Sequence, residues 1–141
     1  MEITGKSNGL PVVRQKPGPN NSLGLVKFLF PNSYDIYFHD TPNHDLFSAT
    51  NRSFSHGCIR LSEPKKFAQY LLRRDTATVW KEKVIDSCMH LPKEKWVTLD
   101  KTIPVSLVYF TAWVDKNGLL NFRKDIYGHD AKMSEKLFVK K

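Results

Sequence analysis

The amino-acid sequence predicts a mostly β domain with one or two helices inserted midway. Three observations support this fold class: short runs rich in β-branched and aromatic residues, turn residues between them, and apolar residues at helical spacing only in the middle of the chain. The chain has 141 residues, 40% of them hydrophobic, which suits one domain with its own core. We expect no internal repeat.

The first part of the chain predicts an arm followed by a hairpin. Residues 1–22 are punctuated by glycine and proline, so an extended arm or loop is expected, with one short strand at 12–15. Leu25–Phe30 and Tyr34–Phe38 are apolar and aromatic runs separated by a proline-led turn. They predict a β-hairpin, and His39 lies where its second strand ends.

The middle of the chain carries the helical signals. Ser62-Glu63-Pro64 is typical of a helix start with serine as the N-cap. Apolar residues at helical spacing continue this helix to about Arg73. A second, weaker helix is expected from about Thr76 to Cys88.

The last third of the chain predicts strands again. Trp96–Leu99 and Pro104–Val114 have strand composition, and Asn117-Gly118 is a strong hairpin signal before the returning strand 119–123. Residues 131–141 are expected to form a basic tail.

The charge and composition exclude several classes of protein. The net charge is +8, but basic residues are spread along the chain without finger or RNP-type motifs, so no nucleic-acid partner is expected. Weak attraction to a polyanionic matrix is a better use of this charge. The longest apolar stretch is about half of the ~20 residues that a spanning helix needs. The start of the chain lacks the features of an export signal.

Cys58 is the residue with the strongest chemical context. Gly57 before it leaves room for a substrate to approach, and the predicted helix start at Ser62 places partial positive charge near a thiol. A thiolate nucleophile also needs a base or an imidazolium partner. From the residues alone, both His39 and His56 are candidates.

The spacing of these residues resembles a known signature. His39, fifteen intervening residues, and then Ser55-His56-Gly57-Cys58-Ile59 are similar to the motif of the L,D-transpeptidase (YkuD-like) catalytic domain. The form His39-Asp40-Thr41-Pro42-Asn43 with Ile59-Arg60-Leu61 resembles the large, multidomain Gram-negative branch. The resemblance covers about residues 10 to 130, and it implies a β-sandwich-like catalytic domain at 23–130.

The resemblance also implies a role for each site residue. Cys58 becomes the nucleophile, and His39 becomes the general base and acid, with its other ring nitrogen held by a backbone carbonyl at about Asp40. The other implied residues are Ser55, His56, Gly57 and Asp40 at the oxyanion site and its support, and Arg60 and Tyr37 for substrate binding.

The implied chemistry is acyl exchange on peptidoglycan stem peptides in the cell envelope. Cys58 takes the acyl group from the third residue of a donor tetrapeptide, and the amine of a neighbouring diaminopimelate opens the thioester, giving a 3→3 cross-link. Water as acceptor would give L,D-carboxypeptidase activity. No cofactor is needed, and carbapenems are expected inhibitors. Family domains begin with further strands after a membrane anchor, and we expect a longer reading frame to encode an export signal and further strands.

Three alternatives compete with this interpretation. His39, His56 and Cys58 are ligand types that suit zinc, although three donors fit no strong spacing pattern. Cys58 and Cys88 could instead form a structural disulfide. The most serious alternative is a catalytically incomplete wall-binding or vestigial module with an intact motif.

Overall fold

The computed structural model describes residues 1–75 and 78–138. It divides into two compact units, Met1–Ile103 and Pro104–Lys141. The described residues form small two- and three-stranded sheets together with three α-helices. The predicted fold class, mostly β with inserted helices, is therefore confirmed.

The chain begins with an antiparallel hairpin of β1 (Glu2–Ser7) and β2 (Leu10–Arg14). Two residues connect the strands, Asn8 at φ 50° and Gly9 at φ 79°, as a type I′ turn requires. The structure thus has two strands where an arm with one short strand was expected. Composition rich in glycine and proline argued for a loop, but a two-residue Asn-Gly turn is enough to pair the flanking segments.

A three-stranded sheet follows, in the order β3 (Lys27–Phe28), β4 (Phe38–His39) and β5 (Ile59–Arg60). β3 and β4 are antiparallel, so the predicted hairpin is present with shorter strands. β5 pairs with β4 in parallel. This strand was not predicted, because two residues are too few to give a periodic pattern. A short 3₁₀ helix at His44–Ser48 lies in the loop that joins β4 to β5.

The first helix, α1 (Pro64–Leu72), has Glu63 as its N-cap rather than the predicted Ser62. Neither a serine nor a glutamate side chain caps its backbone. Proline explains the position of the start, because its fixed φ and missing N–H suit the first helical residue. The predicted end near Arg73, which is the C-cap, is confirmed.

The second helix, α2 (Glu82–Met89), is shorter than expected. The predicted start at about Thr76 lies outside the described residues, and residues 78–81 are not helical. Two exposed ion pairs join α2 to the end and the start of α1: Arg73 to Glu82 at 2.9 Å and Lys65 to Asp86 at 2.6 Å.

Aromatic side chains connect the sheet to α1. The rings of Phe28 and Phe67 have centroids 4.9 Å apart, and those of Phe38 and Phe67 are 6.3 Å apart. Ala68, the next residue on α1, and Ile85 on α2 are buried. One face of the sheet is therefore apolar and packs on a helix, which leaves the opposite face for polar side chains.

In the second unit, β6 (Ala112–Val114) and β7 (Leu120–Phe122) form an antiparallel hairpin. The Asn117-Gly118 turn is confirmed, and the Asp115 carboxylate accepts the backbone N–H groups of Asn117 and Leu119 at 2.8 and 3.0 Å. These backbone donors lower the pKa of Asp115. The strand expected at 96–99, and most of the one expected at 104–114, are not strands, because strand composition does not by itself supply a pairing partner.

The last helix, α3 (His129–Leu137), lies where a basic tail at 131–141 was expected. Asp125 stabilises its start, because the carboxylate accepts the Asp130 N–H at 2.8 Å and the Tyr127 N–H at 3.1 Å. Residues 139–141 of the predicted tail lie outside the described residues. In the part of the chain that the structure describes, no helix has the length and apolar character to cross a membrane.

Candidate active site

The register of β4 and β5 brings the predicted site residues to one face of the sheet. Phe38 is opposite Ile59, and His39 is opposite Arg60. The Ile59 N–H donates to the Tyr37 carbonyl at 3.0 Å, which extends the pairing toward Cys58. Because side chains alternate along a strand, Tyr37 and His39 share one face with Cys58 and Arg60. Phe38 and Ile59 lie on the opposite, apolar face.

His39 is buried, with 5% of its surface exposed. Its Nδ1 atom lies 2.5 Å from the carbonyl oxygen of Asp40, the residue at which the resemblance placed this contact. A carbonyl oxygen only accepts, so Nδ1 carries the hydrogen and the neutral ring keeps its lone pair at Nε2. The ring of Tyr37 meets the imidazole edge-on, with centroids 5.8 Å apart.

The Asp40 side chain holds the backbone before β3 and after β4, near His39, through hydrogen bonds. Its carboxylate accepts the Leu25 N–H at 2.9 Å and the Thr41 N–H at 2.7 Å. Gly24 lies directly against this carboxylate at φ 62°, and a Cβ there would overlap the Asp40 side chain. The Asp40 N–H in turn donates to Val26 at 2.9 Å. The segment before β3 thus fixes the backbone that holds the imidazole.

Cys58 is half-buried at the start of β5. Its thiol donates to the carbonyl of Asp35 at 3.8 Å. Asp35 has φ 52°, and the turn around it is held by Asn32, whose Oδ1 accepts the Tyr34 and Ile36 N–H groups at 3.0 and 3.1 Å. The predicted turn chemistry at 31–33 therefore positions a partner of the thiol.

Tyr37 is linked to the thiol as well as to the imidazole. Burial raises the pKa of Tyr37, and a hydrogen bond with Cys58 raises it further. The phenol therefore stays protonated over the pH range in which a thiol is ordinarily titrated. Tyr37 is therefore a hydrogen-bonding neighbour of Cys58.

The residues before Cys58 form an exposed loop. Gly57 has φ 145°, and a Cβ there would meet only the Ile36 side chain at an ordinary 3.8 Å. Its N–H donates to the Ser55 hydroxyl at 3.2 Å. Among the described groups, the Cys58 N–H has no hydrogen-bond acceptor. That donor is consequently available to a ligand.

A pocket of about 280 Å³, called here the His39 pocket, joins the candidate residues. Its lining includes six of the predicted residues: His39, Ser55, His56, Gly57, Cys58 and Arg60. Tyr37 is not part of the lining. Five lining residues were not predicted as site residues: Ser22, Leu23, Tyr34, Asp35 and Ile36. Ser22 and Leu23 precede β3, and the other three follow the predicted turn at 31–33.

The L,D-transpeptidase catalytic domain family, YkuD, matches residues 2–85. That range contains both His39 and Cys58. The chain belongs to this family. A curated Haemophilus influenzae protein, provisionally named an L,D-transpeptidase, is 36% identical over 122 residues. The match covers 86% of this chain and 24% of that relative, so the chain spans about a quarter of the relative's length.

The range of the family match lies within the first of the two compact units. It begins at residue 2 and so includes the β1–β2 hairpin, and it ends within α2. It therefore lies inside the first unit, which ends at Ile103. All eight predicted site residues fall inside the matched range.

The two cysteines of this L,D-transpeptidase family member are both free thiols. Cys88 on α2 lies 3.5 Å from the ammonium group of Lys95, which also lies over the Trp80 ring. Within residues 1–75 and 78–138, no three His, Cys, Asp or Glu side chains group together as a metal site requires. The Cys58 thiol is therefore free, and Cys58 lines one pocket together with His39.

Proposed function

We propose that this chain carries the acyl-transfer site of an L,D-transpeptidase, with Cys58 as nucleophile and His39 as general base and acid. The observation that carries the proposal is the shared face of β4 and β5. It places the Cys58 thiol and a His39 imidazole with a fixed tautomer on the wall of one pocket. A nucleophile, a base and a group that orients the base are the parts that covalent acyl transfer requires.

The first step is acylation. His39 Nε2 takes the thiol proton, and the Cys58 sulfur attacks the carbonyl carbon between the third and fourth residues of a donor tetrapeptide stem. The C–S bond forms and the C–N bond breaks, and His39 returns the proton to the leaving amine of the terminal D-amino acid. The Asp40 carbonyl stabilises the imidazolium that forms between these two transfers.

The second step is transfer. The amine of a diaminopimelate on a neighbouring stem attacks the thioester, His39 accepts its proton, and the thiol is regenerated as the 3→3 cross-link forms. Water in place of the amine gives an L,D-carboxypeptidase. Neither step requires a cofactor. The site of action that follows from this substrate is the periplasmic side of the cell envelope.

The oxyanion of each tetrahedral intermediate needs preorganised donors. The Cys58 N–H is the best candidate, because it has no described acceptor in the resting site. The Gly57 N–H is engaged by Ser55, so Ser55 acts as a stand-in acceptor until an oxyanion competes for that donor. Arg60 lies on β5 opposite His39 on β4, and its guanidinium is a candidate for binding a substrate carboxylate.

Whole-protein mass spectrometry after incubation with a carbapenem tests the proposal. A β-lactam carbonyl should form a thioester with Cys58, adding the full mass of the drug. The matched control is Cys88→Ala, which should still form the adduct, whereas Cys58→Ala should not. An unmodified wild-type protein that is shown to be folded, or an adduct that persists in Cys58→Ala, would contradict the nucleophile assignment.

A second candidate is a wall-binding module that retains the motif without turnover. Among the described residues, the buried hydrophobic ones are Ala68 and Ile85, and so small a core holds the site residues less rigidly than turnover requires. The assay that separates the two is release of the terminal D-amino acid from a tetrapeptide stem. Binding of the peptide without release, together with an unreactive Cys58, would support the module.

A further inference from the structure

A second pocket also borders Cys58. It has a volume of about 240 Å³ and is called here the Arg52 pocket. Ser55, Cys58 and Arg60 line both pockets, so the thiol lies where the two meet. The remaining lining of the Arg52 pocket is Asn43, Leu46, Phe47, Arg52, Phe54 and Ile59.

The two pockets differ in charge. The Arg52 pocket has two arginines and no acidic residue in its lining, whereas the His39 pocket combines Arg60 with Asp35. In the described part of the chain, neither Arg52 nor Arg60 forms an ion pair with an acidic side chain. Two guanidinium groups without acidic partners beside a small pocket favour an anionic ligand, and a guanidinium matches a carboxylate in geometry.

Apart from the arginines, the lining of the Arg52 pocket is mostly apolar, with Asn43 and Ser55 as its uncharged polar residues. Leu46 and Phe47, on the 3₁₀ helix, are half-buried, and Ile59 is half-buried on β5. Such walls accommodate the methylene groups of a side chain. The lining therefore fits a short aliphatic side chain that ends in a carboxylate.

The reaction assigns the two pockets to different parts of the substrate. The leaving amine takes a proton from His39, and the acceptor amine later gives one to it, so both amines must lie on the His39 side. The retained acyl portion then extends away from His39, and the Arg52 pocket, whose lining includes Cys58 but not His39, is the space for it. Diaminopimelate has two carboxyl groups, so one carboxylate remains free when the other becomes the thioester.

We propose that Arg52 is a specificity-determining residue that binds this free carboxylate of the donor's third residue, with Arg60 as its second guanidinium. The inference rests on the proposed function and adds to it a charge requirement on the acyl donor. Arg52 belongs to the exposed loop before Ser55, so its side chain can reach a ligand without disturbing the packed sheet.

The test uses two donor tetrapeptides that differ only at the side-chain carboxyl of the third residue, free in one and a carboxamide in the other. Release of the terminal residue gives kcat/KM for each donor. Arg52→Gln should lower kcat/KM for the free-carboxylate donor about tenfold to one-hundredfold and leave kcat/KM for the carboxamide donor unchanged within about twofold.

Arg52→Lys keeps the positive charge but loses the planar guanidinium that can make two hydrogen bonds to a carboxylate, so it should restore part of the difference between the donors. Arg73→Gln, at an exposed guanidinium paired with Glu82, is the matched control and should change neither donor.

Equal loss of kcat/KM on both donors, or equal use of both donors by the wild type, would overturn the assignment to Arg52. A second arm measures opening of the preformed thioester by acceptor peptides with a free or amidated carboxyl group. An Arg52→Gln effect confined to that arm would place the recognised carboxylate on the acceptor and refute the donor assignment.

Peptide binding to Cys58→Ser tests the inference without requiring turnover, because this variant lacks the proposed nucleophile. The Cys58→Ser protein should bind the free-carboxylate peptide more tightly than the carboxamide, and adding Arg52→Gln should remove the preference. Absence of the preference overturns the inference. Absence of any thioester on wild-type Cys58 with either donor contradicts the proposed function instead, and leaves the binding result to decide the role of Arg52.

Discussion

The Nδ1 atom of His39 lies 2.5 Å from the carbonyl oxygen of Asp40, its immediate neighbour in the chain. A backbone carbonyl has no proton to give up, so this contact fixes the tautomer without adding a charged partner. The Asp40 carboxylate is directed elsewhere, to the N–H groups of Leu25 and Thr41. Asp40 therefore orients the imidazole of the proposed base through its backbone and anchors the loop through its side chain.

Replacing the imidazole should abolish proton transfer while keeping this contact. His39→Gln retains an amide that can donate to the Asp40 carbonyl but cannot accept and return a proton. We expect release of the terminal D-amino acid to fall about 10²–10⁴-fold. His90→Gln, at an exposed histidine after α2, is the control and should keep the rate. Activity of His39→Gln close to that of the wild type would exclude His39 as the base.

Gly24 should be sensitive to the smallest possible substitution. A Cβ at this position would overlap the Asp40 side chain, and φ is 62°. Gly24→Ala should therefore lower the free energy of unfolding by about 1–3 kcal/mol and reduce activity through displacement of Asp40. Chemical denaturation and the release assay measure the two effects.

Gly5→Ala is the matched control for Gly24→Ala. Gly5 lies in β1, where an added Cβ would have no atom within 4 Å, and its φ is not positive. Its replacement should be neutral or slightly stabilising, because alanine restricts the unfolded chain. Equal destabilisation by the two substitutions would show that the Asp40 contact is not the cause.

Much of the site could be predicted from the sequence because it depends on local order along the chain. The spacing from His39 to Cys58 and the turn at 31–33 both follow from neighbouring residues. The contact of Gly24 with Asp40 could not be predicted, since it joins residues whose approach is set by the pairing of β3 with β4. Arg52 was missed for a similar reason, because a charge in a polar loop becomes informative only once a pocket has formed around it.

The fold was predicted best where a turn signal and a strand pattern coincide, as at Asn117-Gly118. It was predicted least well where pairing decides the outcome. β5 has two residues and no recognisable pattern, yet its parallel pairing with β4 creates the face that holds Cys58. The segment 96–99 has strand composition without a strand.

The ion pair between α1 and α2 should make the stability of the chain depend on acid pH. The hydrogen bond from Lys65 lowers the pKa of Asp86. A lowered folded-state pKa stabilises the fold above the unfolded value, about 3.9 for aspartate, and this contribution is lost as the pH falls through the folded value. The melting temperature of Asp86→Asn should therefore lie below that of the wild type near neutral pH, and the difference should disappear in strong acid.

Asp45→Asn is the control for this pH dependence. Its carboxylate forms no ion pair within the described residues, so the substitution should leave the melting profile close to that of the wild type. A difference between Asp86→Asn and the wild type that persists unchanged into strong acid would show that the effect does not come from ionisation of Asp86.

Gly57 should be required for its backbone conformation rather than for space. A Cβ would find ordinary contact with Ile36, but φ at 145° is a value that residues with side chains rarely adopt. Gly57→Ala should shift the backbone donors before Cys58 and lower the rate of acyl transfer about 10²–10³-fold.

Gly118→Ala is the matched control for Gly57→Ala, since Gly118 also has a positive φ, 80°, and no atom near its Cβ position. It should impose a similar strain in the β6–β7 turn, in the second unit, while the rate of thioester formation stays within about twofold of the wild type. Comparable losses of rate in the two variants would mean that general destabilisation, and not the geometry of the Ser55–Cys58 loop, accounts for the effect.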